Sequence, residues 1–169
     1  MGDTAERFKV AIVGSGPAGL SAAARAAARG MSHVLVEKAG HLSDTIHKYQ
    51  KGKHVMATPS NLVLRSDLDF EAGKREAVLG TWDEQTAGHQ VNVRLNTEIV
   101  SITGAKGDFT LAVKNGEPIR AEAVVLGCAG MSEMTAELGR ATGVVVIDGV
   151  VVAVKQAEAL IGSGLQTSK

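Results

Sequence analysis

The stretch Lys9-Val-Ala-Ile-Val-Gly14-Ser-Gly16-Pro-Ala-Gly19 runs on through an alanine-rich segment to Arg29, then to His33-Val-Leu-Val-Glu37, and its reading decides the fold. An apolar strand over Val10–Val13 enters Gly14-x-Gly16-x-x-Gly19, a helix follows, and a second strand over Val34–Val36 ends in an acid. Each glycine has a mechanical reason. Gly14 permits a tight turn, Gly16 lets backbone approach a pyrophosphate, and Gly19 lets helix and strand pack closely. The positive dipole end of the helix at Pro17 and the free N–H groups around Ala18 receive phosphate. Glu37, about 20 residues on, is placed to accept hydrogen bonds from a ribose. Strand, helix, strand and terminal acid fall in the order a dinucleotide site requires. The competing reading is a glycine turn that only connects a strand to a helix. Ser15 is a phosphate contact in the first case and a turn filler in the second.

At 169 residues the chain reads as one domain, long enough to bury about 70% of its unfolded surface. Eighteen basic residues balance eighteen acidic ones. No basic face or polybasic run argues for nucleic acid or an anionic membrane. Apolar runs fall short of the roughly 20 residues of a membrane span, and no secretory pattern opens the chain. A single cysteine, Cys128, excludes an internal disulfide framework and a multi-cysteine metal site. A soluble, cytosolic protein is expected. With only 3% aromatic residues, the core must be built from Val, Leu, Ile and Ala.

After the β-α-β unit, residues 38–70 read as a long irregular loop, and such loops are usually functional or disordered. A helix is expected over 71–87, with Trp82 in the core, and a strand over Gln90–Leu95. Three short strands follow, Glu98–Thr103, Phe109–Lys114 and Ile119–Ala123, with Asn115-Gly116 as a two-residue hairpin turn, making an antiparallel meander. Then come a buried strand over Val124–Leu126, a helix over Ser132–Ala141 and a strand over Val144–Ile147. Residues 150–161 carry two readings. Val150, Val154, Ala157 and Ile161 share a helical face, whereas the β-branched run around Asp148-Gly149 favours a hairpin. The fold class is α/β: a three-layer Rossmann-like domain, with helices on one face of a parallel sheet and the meander on the other.

Up to about residue 125 the chain resembles the FAD-binding domain of pyridine nucleotide-disulfide oxidoreductases, the thioredoxin-reductase-like flavoproteins. The resemblance lies in Val13-Gly-Ser-Gly-Pro-Ala-Gly-Leu20, Glu37-Lys38, Asn96-Thr-Glu-Ile-Val-Ser-Ile102 and Ala121-Glu-Ala-Val-Val-Leu126. Residues 43–56 and 70–76 resemble one branch of these flavoproteins, in which the domain is fused to other redox modules. The resemblance implies FAD as cofactor, with residues 14–19 on the pyrophosphate, Glu37 at the adenosine ribose, Lys38 beside it among the cofactor-binding residues, and backbone around Ile99 along the adenine. Residues 44–60 would run near the isoalloxazine. Asp148, followed by Gly149, would match the family aspartate that binds the ribityl chain and pyrophosphate. The family's glycine before that aspartate is Ile147 here. Where the family inserts an NAD(P)H domain, this chain has room for one short helix.

From Val124 onward a second resemblance enters. Val-Leu-Gly-Cys-Ala-Gly-Met (125–131), Val-Ile-Asp-Gly-Val (146–150) and residues 153–160 and 164–169 resemble the C-terminal end of hydantoin and aspartate/glutamate racemases. The two resemblances meet in Ala123-Val-Val-Leu-Gly127. A chimera is inferred: a single domain over 1–169, flavoprotein-derived over 1–123 and racemase-like over 124–169. Racemases of this kind use two cysteines, and Cys128 matches the C-terminal one. With no second cysteine, two-base racemisation is unsupported. Gly127 and Cys128 lie at the carboxyl end of a strand, where ligands of α/β folds sit.

The histidines lack metal-ligand spacing, and His33 reads as structural. Lys48, Lys51, Lys53 and His54 form either a solvated loop or positive charge beside a reduced flavin. The expected function is FAD binding, with flavin-dependent oxidoreduction as the chemistry if the chain is active. The alternatives are a Rossmann-like scaffold that binds nothing and an NAD binder.

Overall fold

A computed structural model describes residues 6–56, 66–127 and 135–143. Strand β1 (Arg7–Val13) is followed by helix α1 (Pro17–Ala28) and strand β2 (His33–Val36). A short helix α2 (Asp44–His47) and two-residue strands β3 (His54–Val55) and β4 (Gly73–Lys74) lead to helix α3 (Arg75–Gly88). Then come β5 (Val93–Arg94), β6 (Ile99–Ala105), β7 (Asp108–Val113), β8 (Ile119–Leu126) and helix α4 (Thr135–Thr142).

The main sheet has six strands in the order β5-β2-β1-β8-β7-β6. The first four run parallel, and β7 and β6 add antiparallel. Val10 to Val13 are all buried, as expected of a parallel strand covered on both faces. On one face, Val10, Ile12 and Leu35 pack with Leu20, Ala23 and Ala24 of α1 and with Val78 and Trp82 of α3. On the other, Ala11, Val13, Val34 and Val36 pack with Ile102 and Leu111 of the meander. Helices, sheet and meander therefore form the three expected layers. Alanine at 23, 24 and 26 lets α1 settle close to the sheet, and all three are buried.

Several local expectations are corrected. The third meander strand and the strand expected to be buried at Val124–Leu126, whose residues are only half-buried, are one strand, β8. Its first half pairs antiparallel with β7 (Phe109 opposite Ala121), while its whole length pairs parallel with β1 (Val13 opposite Leu126). The two-residue hairpin loop lies at Lys106-Gly107 between β6 and β7, with Gly107 at φ 90°. At Asn115-Gly116 the connection is longer: Asn115 turns at φ 70°, but Pro118 has no N–H to close a ladder, and Leu111 opposes Ile119. Only Val93–Arg94 of the expected strand at Gln90–Leu95 is extended. Gln90 sits at φ 55° and donates its N–H to Ala87 O, so it belongs to the turn that ends α3. That helix starts at Arg75 rather than residue 71, because Gly73 and Lys74 pair with β3. The expected strand at 144–147 and the segment 150–161 lie outside the described residues.

Within the long loop, residues 47–53 are more ordered than their composition suggests. Arg75 donates two hydrogen bonds to the His47 carbonyl, its own N–H reaches Lys53 O at 2.8 Å, and the Glu76 carboxylate accepts the Gly52 N–H at 3.2 Å. The start of α3 thus clamps residues 47–53. Trp82 is buried as expected, and its indole N–H donates to the Asp69 carbonyl at 2.9 Å. Trp82→Phe keeps an apolar ring and removes the donor to that carbonyl. We expect a loss of about 0.5–1.5 kcal/mol, read as a lower urea midpoint with an unchanged slope.

Among the described residues no helix is long and apolar enough to cross a membrane, and no cluster of three or more His, Cys, Asp or Glu could hold a metal ion.

Candidate functional site

The end of β1 turns sharply at Gly14, whose φ of 95° only glycine adopts readily. Its N–H donates to Val36 O at 2.8 Å, tying the turn to β2. Gly16 caps α1 with no side-chain bond, and Pro17 takes the first helical position, where a missing N–H costs nothing. The first turn of α1 contains no acid. The N–H groups of Gly16, Ala18 and Gly19 make no hydrogen bond within the described residues. Pro17 and Ala18 are exposed, so this mouth opens to solvent. It presents three donors and the positive end of a twelve-residue helix.

Three glycines form the floor. A Cβ on Gly19 would lie 2.0 Å from the Gly14 carbonyl oxygen, and one on Gly127 would lie 2.4 Å from the same atom and 2.6 Å from Gly19 Cα. Gly127 is held there by its N–H to Val13 O, at 2.8 Å. A Cβ on Gly16 would meet the Gly127 carbonyl at 3.0 Å. Gly16 is therefore also a packing glycine against the end of β8, beyond the backbone approach expected of it.

Glu37 is buried, and its carboxylate is gripped from three sides. Oε2 accepts the Ser15 hydroxyl at 2.6 Å and the Ser15 N–H at 3.0 Å, while Oε1 accepts the Ala39 N–H at 3.0 Å. Burial works against the charged form more than any other single influence, and Asp44 adds a weaker repulsion. Together the Ser15 hydroxyl and the Ala39 and Ser15 N–H groups outweigh both and hold the carboxyl below its ordinary value. Of roughly four lone-pair sites on a carboxylate, the one left over is on Oε1.

Ser15 is fully buried. Besides serving Glu37, its Oγ accepts the Ser43 N–H at 2.9 Å, and its carbonyl accepts the Ser43 hydroxyl at 3.0 Å. The side chain is turned inward, so it is neither a phosphate contact nor a turn filler. Ser43 itself stands at φ 54°, in the left-handed region. Sequence reasoning missed Ser43 and Ala39. Nothing in a serine within a polar loop announces a buried contact 28 residues away.

The structure brings Gly14, Ser15, Gly16, Gly19, Glu37 and Gly127 together. Ile99 is half-buried at the start of β6. The preceding chain runs beside the acid, with Thr97 N–H on Glu37 O at 2.8 Å and Asn96 N–H on Ala39 O at 3.0 Å. Lys38 points into solvent. Cys128, Asp148 and Gly149 lie outside the described residues. Of the basic cluster, Lys48 pairs with Asp44 at 2.6 Å, and Lys53 lies 4.1 Å over the Tyr49 ring. His33 is structural as expected: its Nδ1 meets Met31 O at 2.7 Å and its Nε2 meets the Asn92 N–H at 3.1 Å, tying β2 to the approach of β5.

A β-α-β unit with an open, amide-lined helix start and a buried acid closing β2 defines a dinucleotide-type Rossmann domain. The chain belongs to the pyridine nucleotide-disulphide oxidoreductase family, whose model matches residues 8–138. It is 32% identical over 134 residues to dihydrolipoyl dehydrogenase of Chlorobaculum parvum, covering 79% of this chain and 27% of that one. A separate similarity, 67% identity over 49 residues, relates it to hydantoin racemase of Rhizobium meliloti, covering 29% of this chain and 20% of that one. A ferredoxin-flavin thioredoxin reductase from Clostridium acetobutylicum shares the fold, with a TM-score of 0.54 and 22% identity over 72% of this chain and 37% of that one. The chain thus spans about a third or less of the curated relatives named.

Proposed function

We propose that this chain binds FAD at the glycine loop, within a flavoprotein-type domain joined to a racemase-derived segment. The supporting observation is the set of unbonded N–H groups at Gly16, Ala18 and Gly19, over a floor where any Cβ would collide with backbone. Those groups fit a pyrophosphate: they face it as donors, with the dipole of α1 behind them. The remaining lone pair of Glu37 Oε1 takes one adenosine ribose hydroxyl, and backbone near Ile99 flanks the adenine. Asp148 and Gly149, just after the strand expected at 144–147, are assigned to the ribityl and pyrophosphate side by family resemblance. When bound, the flavin supplies reversible electron transfer. The chain's own residues bind and orient it. Racemisation by two thiols is not assigned, since the chain carries one cysteine. The junction between the two parental sequences falls at β8, and Gly127, just beyond its end, completes the glycine floor.

FAD at a hundredfold excess over its Kd adds about 2.7 kcal/mol of stability, a plain rise in melting temperature. NAD at the same concentration produces a smaller rise. No rise with either cofactor favours the empty-scaffold reading, and a rise with NAD alone favours the NAD reading.

A further inference from the structure

Ser15 and Ser43 have no part in the phosphate site described above, yet they are joined by two reciprocal hydrogen bonds. Ser43 N–H donates to Ser15 Oγ at 2.9 Å, and Ser43 Oγ–H donates to Ser15 O at 3.0 Å. Both residues are buried, at 0% and 3% exposure. The Ser15 hydroxyl has one proton, and it is committed to Glu37 Oε2 at 2.6 Å. An amide donor from Ser43 occupies one of that hydroxyl's two lone pairs, which turns the proton away from Ser43 and toward Glu37. Donor chains of this kind polarise each successive bond. Ser43 keeps a left-handed backbone, φ 54° and ψ 47°, which for a non-glycine residue is tolerated only where surrounding contacts enforce it.

From this geometry we propose that Ser43 is a positioning residue for Glu37, acting through the Ser15 hydroxyl, so that the turn before α2 fixes the acid that receives the ribose. The inference rests on the cofactor reading for its functional meaning but not for its structural test. The groups facing the Glu37 carboxylate are the Ser15 hydroxyl and N–H, the Ala39 N–H and, more distantly, the Asp44 carboxylate on α2. Among them only the Ser15 hydroxyl is set by Ser43. Asp44 adjoins Ser43, so a displaced turn also moves a negative charge relative to Glu37.

The test uses the whole chain with Ser15→Ala, Ser43→Ala, Ser43→Gly and the double variant Ser15→Ala/Ser43→Ala. Glycine adopts the left-handed backbone freely, so Ser43→Gly adds no strain and keeps the N–H donor. It removes only the hydroxyl bond to Ser15 O that anchors that donor beside Ser15 Oγ, and it serves if Ser43→Ala does not fold. The first readout needs no cofactor: the titration midpoint of the Glu37 carboxyl carbon by NMR. Ser15→Ala raises the midpoint, both Ser43 variants raise it by less, and the Ser43 change adds little once Ser15 is alanine. A Ser43→Gly midpoint equal to wild type in a folded chain overturns the proposal, as does full additivity in the double variant. The second readout is FAD affinity. Ser15→Ala weakens it roughly tenfold, the scale of one hydrogen bond to a charged group, and Ser43→Gly weakens it severalfold. If wild type binds no FAD, the cofactor reading fails, while the midpoint measurement still decides whether Ser43 positions Glu37.

Discussion

Gly19→Ala destabilises the chain by about 2 kcal/mol, while Gly80→Ala, the same change in another helix, stabilises it by about 0.5–1 kcal/mol. Both glycines sit inside helices, α1 and α3, so propensity alone favours alanine at each by up to about 1 kcal/mol. Gly80 has open space around its Cβ position, and propensity decides there. At Gly19 the new Cβ would stand 2.0 Å from Gly14 O, 3.1 Å from Gly14 C and 3.2 Å from Gly127 Cα. All three are backbone atoms at the meeting point of α1, β1 and β8, so relief requires the helix to lift off the sheet. Overpacking costs about 1–3 kcal/mol in ordinary cores, and contact with rigid backbone belongs at the upper end of that range. Urea midpoints of the two variants check the contrast. Equal stabilisation of both would mean that α1 does not close on the sheet through its glycines.

Glu37→Gln costs about 1–3 kcal/mol at neutral pH and removes a pH dependence that wild type shows in acid. All three protein groups bonded to the carboxylate are donors. A glutamine amide turns an NH2 toward either Ser15 or Ala39, placing donor against donor in a buried site. The folded carboxyl is held below its ordinary 4.5, so the stability it contributes is complete above that value. It is lost as pH falls from about 4.5 through the lowered folded value. The gap in urea midpoint between wild type and Glu37→Gln is therefore widest near neutrality and closes in acid. A gap that stays constant with pH would show that the acid is not held ionised by these donors.

The sequence carried the β-α-β unit because three independent signals agreed over Val10 to Glu37: the apolar runs, the glycine spacing and the terminal acid. Gly14, Gly19 and Glu37 take the positions expected of them. Gly127, singled out by its place at the carboxyl end of a strand, is part of the glycine floor. Other features were illegible for stated reasons. Residues 119–126 read as two strands because their pattern changes at Ala123, from alternation to a continuous apolar run. One strand produces that change by leaving its antiparallel neighbour halfway along while it stays paired with β1. Ser15 offered two surface roles on paper, while its actual partners, Glu37 and Ser43, lie 22 and 28 residues away. The order in residues 47–53 comes from Arg75 and Glu76, contacts between charged groups and backbone that no periodicity encodes. Asn115-Gly116 suggested a tight hairpin, and Pro118 two residues later forbade it.

The central claim is that the N–H groups of Gly16, Ala18 and Gly19 receive a diphosphate. The most direct measurement is an amide NMR titration of the labelled chain with FAD, ADP and riboflavin, which lacks phosphate. The account predicts that FAD and ADP shift these three amides saturably and that riboflavin leaves them in place. Amides that stay unmoved while FAD binds, or that respond to riboflavin as strongly as to ADP, would contradict it.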